Sequence, residues 1–375
     1  MVALTKIVFV NFLKKENLLI SEICSLIIIK NKYTSSMGKR KANSNNPNND
    51  FCEFLGVNVT ILELAEYEKN INRNIHKYQA YRKAVATLAT YPTRIKSGHE
   101  AKSLPGIGEK ISKKIDEFLQ TGKLKKLENI HQDKSSQIIN LLTRVSGIGP
   151  VKAQKLFSDG IMTLDDLRKN QDKLTHHQII GLRYFDDFEK RIPRAEIHEI
   201  ENILKREITE VDPKYEIIIC GSYRRGKPES GDIDTLITHP DYTSDKFNKK
   251  HKIMVLKSII EKLKKCGLVT ETISLGDTKF MGACRLNPDL PTRRLDIRFQ
   301  PYDQYFCSVL YFTGSDVFNQ KMRAHALEKQ FTLNEYTLRP LGCTGIPGEP
   351  VEITSERDIF DIIEYPYKKP EEREN

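Results

Sequence analysis

Two aspartates, Asp232 and Asp234, lie at the start of a β-branched run, Ile233 to Thr238, that is typical of a strand. Side chains two residues apart in a strand point to the same side, so these two should project together. Carboxylates held that close repel each other unless a cation lies between them. Oxygen ligands of this kind favour a hard divalent cation, and Mg²⁺ is usual where phosphates complete the coordination. The spacing therefore predicts a metal site.

A candidate phosphate site lies just upstream, after a second apolar run at residues 216 to 220 that predicts a neighbouring strand. Gly221 and Ser222 offer backbone that a ligand can approach closely and a hydroxyl donor. Arg224 and Arg225 offer guanidinium groups that bind phosphate oxygens. A lone Asp-x-Asp pair is most often part of a solvated hairpin. Gly-Ser followed about ten residues later by Gly-Asp-x-Asp, between two apolar strands, is much more specific and favours a nucleotide triphosphate.

A third predicted strand, Arg294 to Phe299, carries Asp296 and Arg298 on one face. A single aspartate in a buried strand is more often structural than functional. A strand in this place can nevertheless bring Asp296 beside Asp232 and Asp234. The sequence therefore predicts a site of three carboxylates.

The helical pattern that precedes these strands contains an internal repeat. Leu104-Pro-Gly-Ile-Gly and Val145-Ser-Gly-Ile-Gly each precede a predicted helix and resemble the helix-hairpin-helix motif. Their glycines leave backbone N–H groups open to an anion at a helix N-terminus: Gly106, Gly108, Gly147 and Gly149. A DNA phosphate suits such a nest, in which nothing reads a base. Two ordinary helix–helix turns are the alternative, which the repetition beside a basic segment disfavours.

Composition agrees with a polyanionic partner. The 375 residues carry a formal net charge of +10, and the segment from Glu66 to Ile130 holds fourteen Lys or Arg against seven Asp or Glu. Charge concentrated in one small region is typical of a DNA-contacting module. No long apolar run predicts a membrane span, and the seven scattered cysteines predict reduced thiols rather than zinc or disulfides.

The string from Cys220 to Asp234 resembles the nucleotidyltransferase signature, and in particular that of the family X DNA polymerases. Tyr311-Phe-Thr-Gly-Ser-Asp-Val-Phe-Asn and His325-Ala-Leu-Glu-Lys extend the similarity, which covers about residues 37 to 375. The resemblance implies a multidomain fold, in which an all-α helix-hairpin-helix region precedes an α+β, polymerase beta-like catalytic domain with a mixed sheet. The expected divisions are a flexible extension (1–50), a lyase domain (51–130), a DNA-binding subdomain (131–190), a catalytic palm (191–302) and a nascent-base-pair-binding subdomain (303–375).

The resemblance also assigns roles in the polymerase half. It implies two-metal catalysis, a scheme for which polymerases are known examples, with two Mg²⁺ ions about 3.5 to 4 Å apart held by Asp232, Asp234 and Asp296. Asp296 would accept the proton of the primer 3′-hydroxyl. The residues expected to bind the triphosphate are Arg191, Ser222, Arg225 and Gly231. Those expected at the sugar and the nascent base pair are Tyr311, Phe312, Gly314, Asp316 and Asn319, with Arg298 and Arg323 among the DNA contacts. Gln320 replaces a lysine expected from the family.

In the N-terminal half the resemblance implies a 5′-deoxyribose-phosphate lyase. A lysine among other cations is pushed toward the neutral amine that attacks an aldehyde, and Lys114 matches the Schiff-base nucleophile. Residues matching the 5′-phosphate site or DNA contacts are His76, Lys77, Tyr81, Lys110 and Lys126. Backbone carbonyls implied to bind Na⁺ or K⁺ are those of Lys102, Leu104 and Ile107 in the first hairpin and of Thr143, Val145 and Ile148 in the second. Lys113 stands where the family has an acidic residue.

We therefore expect a monomeric, beta-like polymerase that acts with dNTPs on gapped or nicked DNA and with base-excision-repair proteins. One alternative is a lambda-like or template-independent member of the family. Such members usually carry an N-terminal BRCT domain, for which we expect no room in this chain, and this disfavours the alternative. Another is a non-catalytic scaffold that binds gapped DNA, which the complete set of carboxylates and phosphate ligands disfavours.

The N-terminal residues carry two further expectations. Met37-Gly-Lys-Arg-Lys resembles a natural start, so residues 1–36 are expected to be an extension or an upstream start that is not used. The basic run Lys39-Arg40-Lys41 favours the nucleus, with cytoplasmic or mitochondrial pools as additional locations.

Overall fold

A computed structural model describes residues 61–246 and 249–374. The fold class predicted from sequence is confirmed, because a helical region is followed by α+β domains built on a mixed sheet. The predicted extension at 1–50, the start at Met37 and the basic run at 39–41 lie outside the described residues. Within the described ranges, no helix is both long and apolar enough to cross a membrane.

The first helical region packs amphipathic helices around one apolar core. Its helices are α1 (Ile61–Asn70), α2 (Ile75–Thr90), α3 (Gly98–Lys102), α4 (Glu109–Thr121) and α5 (Lys125–Gln132). On α4, Ile111, Ile115 and Phe118 recur at helical spacing and are buried, while the lysines between them face outward. The core thus sets which face of α4 is left for a ligand.

The second helical region has a separate core around Leu142, Ala153, Leu156 and Leu167. Its helices are α6 (Lys134–Thr143), α7 (Pro150–Ser158), α8 (Leu164–Lys169), α9 (His176–Arg183) and α10 (Phe185–Phe188). Thr163 and Thr175 cap α8 and α9 in capping boxes, which satisfies backbone N–H groups that have no partner inside a helix.

The mixed sheet begins the catalytic half. Its elements, with two short flanking strands, are β1 (Ile192–Pro193), α11 (Arg194–Thr209), β2 (Glu216–Ile219), α12 (Gly221–Arg224), β3 (Glu229–Ser230), β4 (Ile233–Thr238), α13 (Lys249–Lys265), β5 (Val269–Leu275), β6 (Lys279–Cys284) and β7 (Arg293–Phe299). The strand order is β2-β4-β7-β6-β5, in which only β4 and β7 are parallel. Helix α11 covers the sheet with Ile197, Ile200, Leu204 and Ile208.

The interval between β2 and β4 differs from the simple glycine turn expected from sequence. The two predicted strands do pair, antiparallel, with Ile219 opposite Thr235. Between them, however, the chain turns at Gly221, whose φ is +59°, into the one-turn helix α12 and then into β3, which pairs with β1. A left-handed φ favours glycine, so the sequence marked where the turn begins but not the short helix and strand after it.

The last region completes the chain with α14 (Tyr305–Thr313), α15 (Asp316–Glu328), β8 (Phe331–Leu333), β9 (Leu338–Pro340) and α16 (Glu356–Ile362). Phe318, Met322 and Phe360 lie in its core. Helix α14 also packs on the sheet, where Tyr305 and Val309 contact Cys220 and Leu236. That contact places the end of α14 beside α12.

Candidate active site and nucleic-acid interface

The predicted carboxylates meet at one end of the parallel strand pair. Asp234 on β4 lies directly opposite Asp296 on β7 in the strand register. Neighbouring strands are about 4.8 Å apart, so side chains of register partners stand side by side on the same face. Asp232 comes one residue before β4 and is exposed, whereas Asp234 is half-buried and Asp296 is buried. The sheet thus brings together residues that are far apart in the chain.

The negative charge of this group is not fully compensated. Burial raises the pKa of Asp234 to about 7, and the charges of Asp232 and Asp296 act in the same direction against Arg294 and Arg298. The pKa of Asp232 is raised as well: although the residue is exposed at the surface, the surrounding protein desolvates its carboxyl group, and Asp296 acts in the same direction against Arg294 and Arg191. Carboxylates whose neighbours disfavour ionisation are suited to bind a cation.

The donor set fits a hard divalent ion, although the ligands are not assembled as they stand. Within residues 61–246 and 249–374, no three His, Cys, Asp or Glu side chains converge closely enough to hold a metal. Arg294 Nη2 lies 3.3 Å from each carboxylate oxygen of Asp296. Binding an ion between all three aspartates therefore requires Asp296 to turn from Arg294 or to share it.

The predicted phosphate residues surround α12 and β3. The Ser222 hydroxyl donates to the Ser230 hydroxyl over 2.8 Å. Arg191 Nη2 donates to the Glu229 carbonyl over 3.2 Å, and a Cβ added to Gly231 would lie 3.1 Å from Arg191 Nη1. A Cβ at Gly221 would lie 3.3 Å from Asp234 Oδ2. Arg191, Ser222 and Gly231 thus lie around one turn that abuts the carboxylates.

Arg225 belongs to the same turn and reaches the end of α14. Its Nη1 donates to the Thr313 carbonyl over 2.7 Å, and its Nε donates to Glu374 Oε1 over 2.6 Å. A Cβ added to Gly314 would lie 3.3 Å from Arg225 Nη1, and Gly314 has a φ of +67°. The close approach of Arg225 and the left-handed backbone together explain the need for glycine at this position.

The aromatic pair predicted at the sugar lies on the last turn of α14. The rings of Tyr311 and Phe312 are perpendicular with centroids 4.9 Å apart. The Arg298 guanidinium lies 4.4 Å from the centroid of Phe312, and that of Arg323 lies 5.0 Å from Tyr311. Asn319 donates to the Tyr311 carbonyl over 2.7 Å. Arg298 therefore links the carboxylate strand β7 to the predicted sugar pocket.

Asp316, predicted at the nascent base pair, has a partner that the sequence did not indicate. Arg82 on α2 donates from Nη1 to Asp316 Oδ2 over 2.6 Å. Because Asp316 begins α15, this ion pair joins the first helical region to the last region of the chain. No local pattern could have revealed a contact between residues so distant in sequence.

The two glycine repeats form similar turns. In the first, Ile107 N donates to the Leu104 carbonyl over 3.2 Å, and in the second Ile148 N donates to the Val145 carbonyl over 2.9 Å. Gly106 and Gly147 have φ values of +82° and +88°. Gly108 and Gly149 are the N-caps of α4 and α7, where no side-chain hydrogen bond caps the helix and a Cβ added to either glycine would meet nothing within 4 Å. Both turns present the open backbone that the repeat predicts.

The predicted lyase residues lie on α2, α4 and α5. Lys114 is half-buried on α4, and Lys110 lies exposed one turn earlier; His76 and Lys77 are exposed at the start of α2. Tyr81 is buried, and burial followed by the charge of Glu68 raises its pKa.

A buried carboxylate that the sequence did not single out connects part of this set. Glu68 Oε1 lies 2.5 Å from Lys126 Nζ, and Glu68 Oε2 lies 3.6 Å from Lys77 Nζ. Burial acts to raise the pKa of Glu68, but hydrogen bonds from Lys126 and Asn72 lower it. Glu68 thus orients Lys77 and Lys126, two of the lysines predicted to contact DNA.

Lys113 stands where the family pattern has an acidic residue, and the structure places a different carboxylate beside it. Lys113 Nζ lies 3.3 Å from Glu109 Oε1, and Lys102 Nζ lies 2.5 Å from Glu109 Oε2. A carboxylate one turn earlier on α4 therefore lies beside the lysine that replaces the acid.

Comparison with known proteins agrees with this geometry along most of the chain. Family models match in the order helix-hairpin-helix domain (residues 46–124), fingers domain of DNA polymerase lambda (140–189), DNA polymerase beta palm (191–302) and DNA polymerase beta thumb (308–374). These domains, in this order, identify the class, and the chain belongs to family X of the DNA polymerases.

Two curated relatives refine the identification. DNA polymerase lambda of Arabidopsis thaliana is 36% identical over 310 residues, which are 78% of this chain and 57% of the relative. DNA polymerase lambda of Rattus norvegicus is 33% identical over 325 residues, 84% of this chain and 55% of the relative. The chain thus spans little more than half the length of these relatives. The comparisons support family X and lambda-like relatives, rather than polymerase beta in particular, which the motifs had favoured.

Proposed function

We propose that this protein is a DNA-directed DNA polymerase that adds deoxynucleotides to a primer 3′-hydroxyl in short gaps of double-stranded DNA. The observation that carries the proposal is the pairing of Asp234 with Asp296 in the strand register, beside the turn from Gly221 to Gly231 that is predicted to bind phosphate. The proposal covers a gap-filling member of family X, whether beta-like or lambda-like.

Each part of the site has a task in this reaction. Asp232, Asp234 and Asp296 would hold two Mg²⁺ ions, which supply Lewis-acid stabilisation of the attacking and leaving oxygens. The Asp296 carboxylate takes the proton of the primer hydroxyl. The triphosphate is bound by Arg191, Ser222, Arg225 and Gly231.

The end of α14 and the start of α15 select the nucleotide. Tyr311, Phe312 and Gly314 lie where they would exclude a 2′-hydroxyl, while Asp316 and Asn319 face the nascent base pair. Arg323 reaches the template in the minor groove. For Asp316 to contact a base pair, its ion pair with Arg82 must open or reorient.

Both hairpins would grip DNA phosphates on either side of the gap. The carbonyls of Lys102, Leu104 and Ile107, and those of Thr143, Val145 and Ile148, would hold Na⁺ or K⁺ between backbone and phosphate. Because each contact is to the DNA backbone, affinity should fall steeply with salt and change little with sequence.

Filling of a one-nucleotide gap with a 5′-phosphate, in Mg²⁺, tests the polymerase proposal. Wild type should insert the templated nucleotide, and Asp296→Ala should lose insertion but keep its affinity for the gap. Tight binding without insertion by wild type would instead support the DNA-binding scaffold. Addition that persists without a template strand would indicate a template-independent transferase.

A second activity, excision of a 5′-deoxyribose phosphate, is favoured by Lys114 lying half-buried on the basic helix α4. Its neutral amine would add to the aldehyde of the ring-opened sugar and expel water, forming a Schiff base. Loss of a C2′ proton to water would then break the C3′–O bond, so that the DNA strand leaves with its phosphate and the sugar keeps its own 5′-phosphate. Borohydride reduces that C=N bond and traps the protein on DNA. Lys114→Ala should abolish trapping, whereas Lys125→Ala, which removes an exposed lysine of α5, should not; equal trapping by Lys114→Ala would refute the role.

For the cell, we propose action in the nucleus with other base-excision-repair proteins, supported by the basic run Lys39-Arg40-Lys41 and by the family. A fluorescent fusion should accumulate in nuclei and spread to the cytoplasm when these three residues are changed to alanine. Unchanged accumulation would assign import to another segment.

A further inference from the structure

The turn predicted to bind phosphate, which includes Arg225, is held by a carboxylate from the last described residues. Glu374 Oε1 lies 2.6 Å from Arg225 Nε, and Glu374 Oε2 lies 3.4 Å from Lys227 Nζ. The Arg225 side chain is only 15% exposed and that of Glu374 is 33% exposed. Burial acts to raise the pKa of Glu374, but the hydrogen bond and charge of Arg225 lower it, so Glu374 is an ionised partner.

The hydrogen bonds of Arg225 fix the plane of its guanidinium group. Nε donates to Glu374 and Nη1 donates to the Thr313 carbonyl. A guanidinium is a rigid, planar fork with five N–H groups, so two bonds at different nitrogens set its orientation. No hydrogen bond from Nη2 to another described residue is formed. The N–H groups of Nη2 are therefore the part of the Arg225 guanidinium left for a ligand.

Glu374 is itself anchored. Its carbonyl accepts a hydrogen bond from the Ser315 hydroxyl over 3.0 Å, and the preceding carbonyl, that of Arg373, accepts one from Ser315 N over 2.9 Å. Ser315 is the N-cap of α15, and the Arg373 side chain is fully buried. The carboxylate thus joins Arg225 to the helix that carries the nascent-base-pair residues.

We propose that Glu374 is a positioning residue for the incoming nucleotide: it holds the Arg225 guanidinium so that Nη2 can bind a phosphate oxygen of the triphosphate. The inference rests on the proposed function, in which Arg225 is a phosphate ligand. Glu374 and the phosphate use different nitrogens of the guanidinium, so both bind together and the carboxylate does not compete. Ordering a side chain before binding strengthens affinity, because that side chain need no longer be immobilised when the ligand binds.

The test measures dNTP affinity and turnover separately. Full-length protein is bound to one-nucleotide-gap DNA with a dideoxy-terminated primer in Mg²⁺, and the Kd of the templated dNTP is determined; insertion kinetics use an extendable primer. Glu374→Gln should raise the Kd by about threefold to tenfold and leave kcat within about twofold. Glu374→Asp, which keeps the charge, should recover part of the affinity. Glu371→Gln, which removes a nearby exposed carboxylate, should bind as wild type does.

Two results would overturn the inference. An unchanged Kd in Glu374→Gln would show that Arg225 needs no such support, and a lower Kd would show that Glu374 competes with phosphate. Thermal unfolding of each variant checks that the fold is intact.

A double-mutant cycle separates this inference from the proposed function on which it rests. Arg225→Ala should weaken dNTP binding, and adding Glu374→Gln to Arg225→Ala should weaken it no further. If Arg225→Ala leaves the Kd unchanged, the phosphate role of Arg225 fails. If Arg225→Ala weakens binding and Glu374→Gln does not, only the positioning role fails.

Discussion

Two charged clusters lie close together in the catalytic half and are built in opposite ways. In one, Glu356 accepts hydrogen bonds from Arg224 Nη2 over 2.8 Å and from the fully buried Arg373. Burial acts to raise the pKa of Glu356, but the bonds from both arginines lower it. In the other, Asp232 and Asp234 have raised pKa values because burial and neighbouring carboxylates outweigh the nearby arginines.

This is the difference expected between charges that hold the fold and charges that serve a reaction. The paired cluster joins α12 to α16 and to the last described residues, so it fixes how the catalytic sheet meets the final region. The carboxylate cluster is destabilised in isolation, which is typical of sites completed by a ligand. We expect variants of the first cluster to change stability and variants of the second to change activity.

Asp234→Asn should give the largest effect on activity. Removing one ligand of the proposed ions should remove several kcal/mol of transition-state stabilisation. The rate of insertion should therefore fall by a factor on the order of a thousand. Stability should be unchanged or higher, because like-charge repulsion falls. Single-turnover insertion and chemical denaturation measure the two quantities.

The matched control is Asp172→Asn, an exposed aspartate in the second helical region, which should leave both quantities unaltered. If Asp234→Asn instead unfolds the protein without a specific loss of rate, the carboxylates are structural and the comparison fails.

Glu356→Gln should give the largest loss of stability. It leaves Arg224 and Arg373 without their anionic partner in a buried place, and breaking a buried ion pair costs about 3 to 5 kcal/mol. Chemical denaturation should show this decrease, while exposed Glu352→Gln should stay within about 0.5 kcal/mol of wild type. Equal stability of the two variants would remove the distinction between the clusters.

A third charged pair, which is half-exposed, should make a small, pH-dependent contribution to the free energy of unfolding. His131 Nε2 on α5 lies 2.8 Å from Glu63 Oε1 on α1, and this hydrogen bond raises the pKa of His131 above 6.5 although burial acts to lower it. The added stability, about 0.5 kcal/mol, is therefore present below pH 6.5 and is lost as pH rises through the folded-state pKa. Denaturation of wild type and His131→Asn between about pH 5.5 and pH 8.5 should converge at the alkaline end. A constant difference would show that the imidazole acts by packing alone.

The strands and the carboxylates could be predicted from sequence because their signals are local. The β-branched runs gave β2, β4 and β7, and alternation along a strand predicted which side chains share a face. The glycine repeats likewise gave both hairpins, since a left-handed φ at Gly106 and Gly147 restricts the residue type directly.

The missed features are contacts across long separations. Arg82 and Asp316, Glu68 and Lys126, and Arg225 and Glu374 are each joined only once the tertiary structure has formed. Sequence periodicity does not indicate the ion-pair partner of an acidic residue. From the sequence alone, Glu68 and Glu374 are therefore indistinguishable from ordinary surface charges. The helix α12 was missed because one turn of helix is too short to show an apolar repeat.

The central claim is that the carboxylates of Asp232, Asp234 and Asp296 bind a divalent cation. Thermal unfolding across a Mg²⁺ titration tests this claim most directly. Wild type and Asp234→Asn are compared as complexes with gapped DNA, a dideoxy-terminated primer and the templated dNTP. Mass action predicts that Mg²⁺ raises the Tm of the wild-type complex in a saturable way and raises that of Asp234→Asn little or not at all. An equal rise in both complexes would contradict the claim, because the ion would then be bound without the carboxylate cluster.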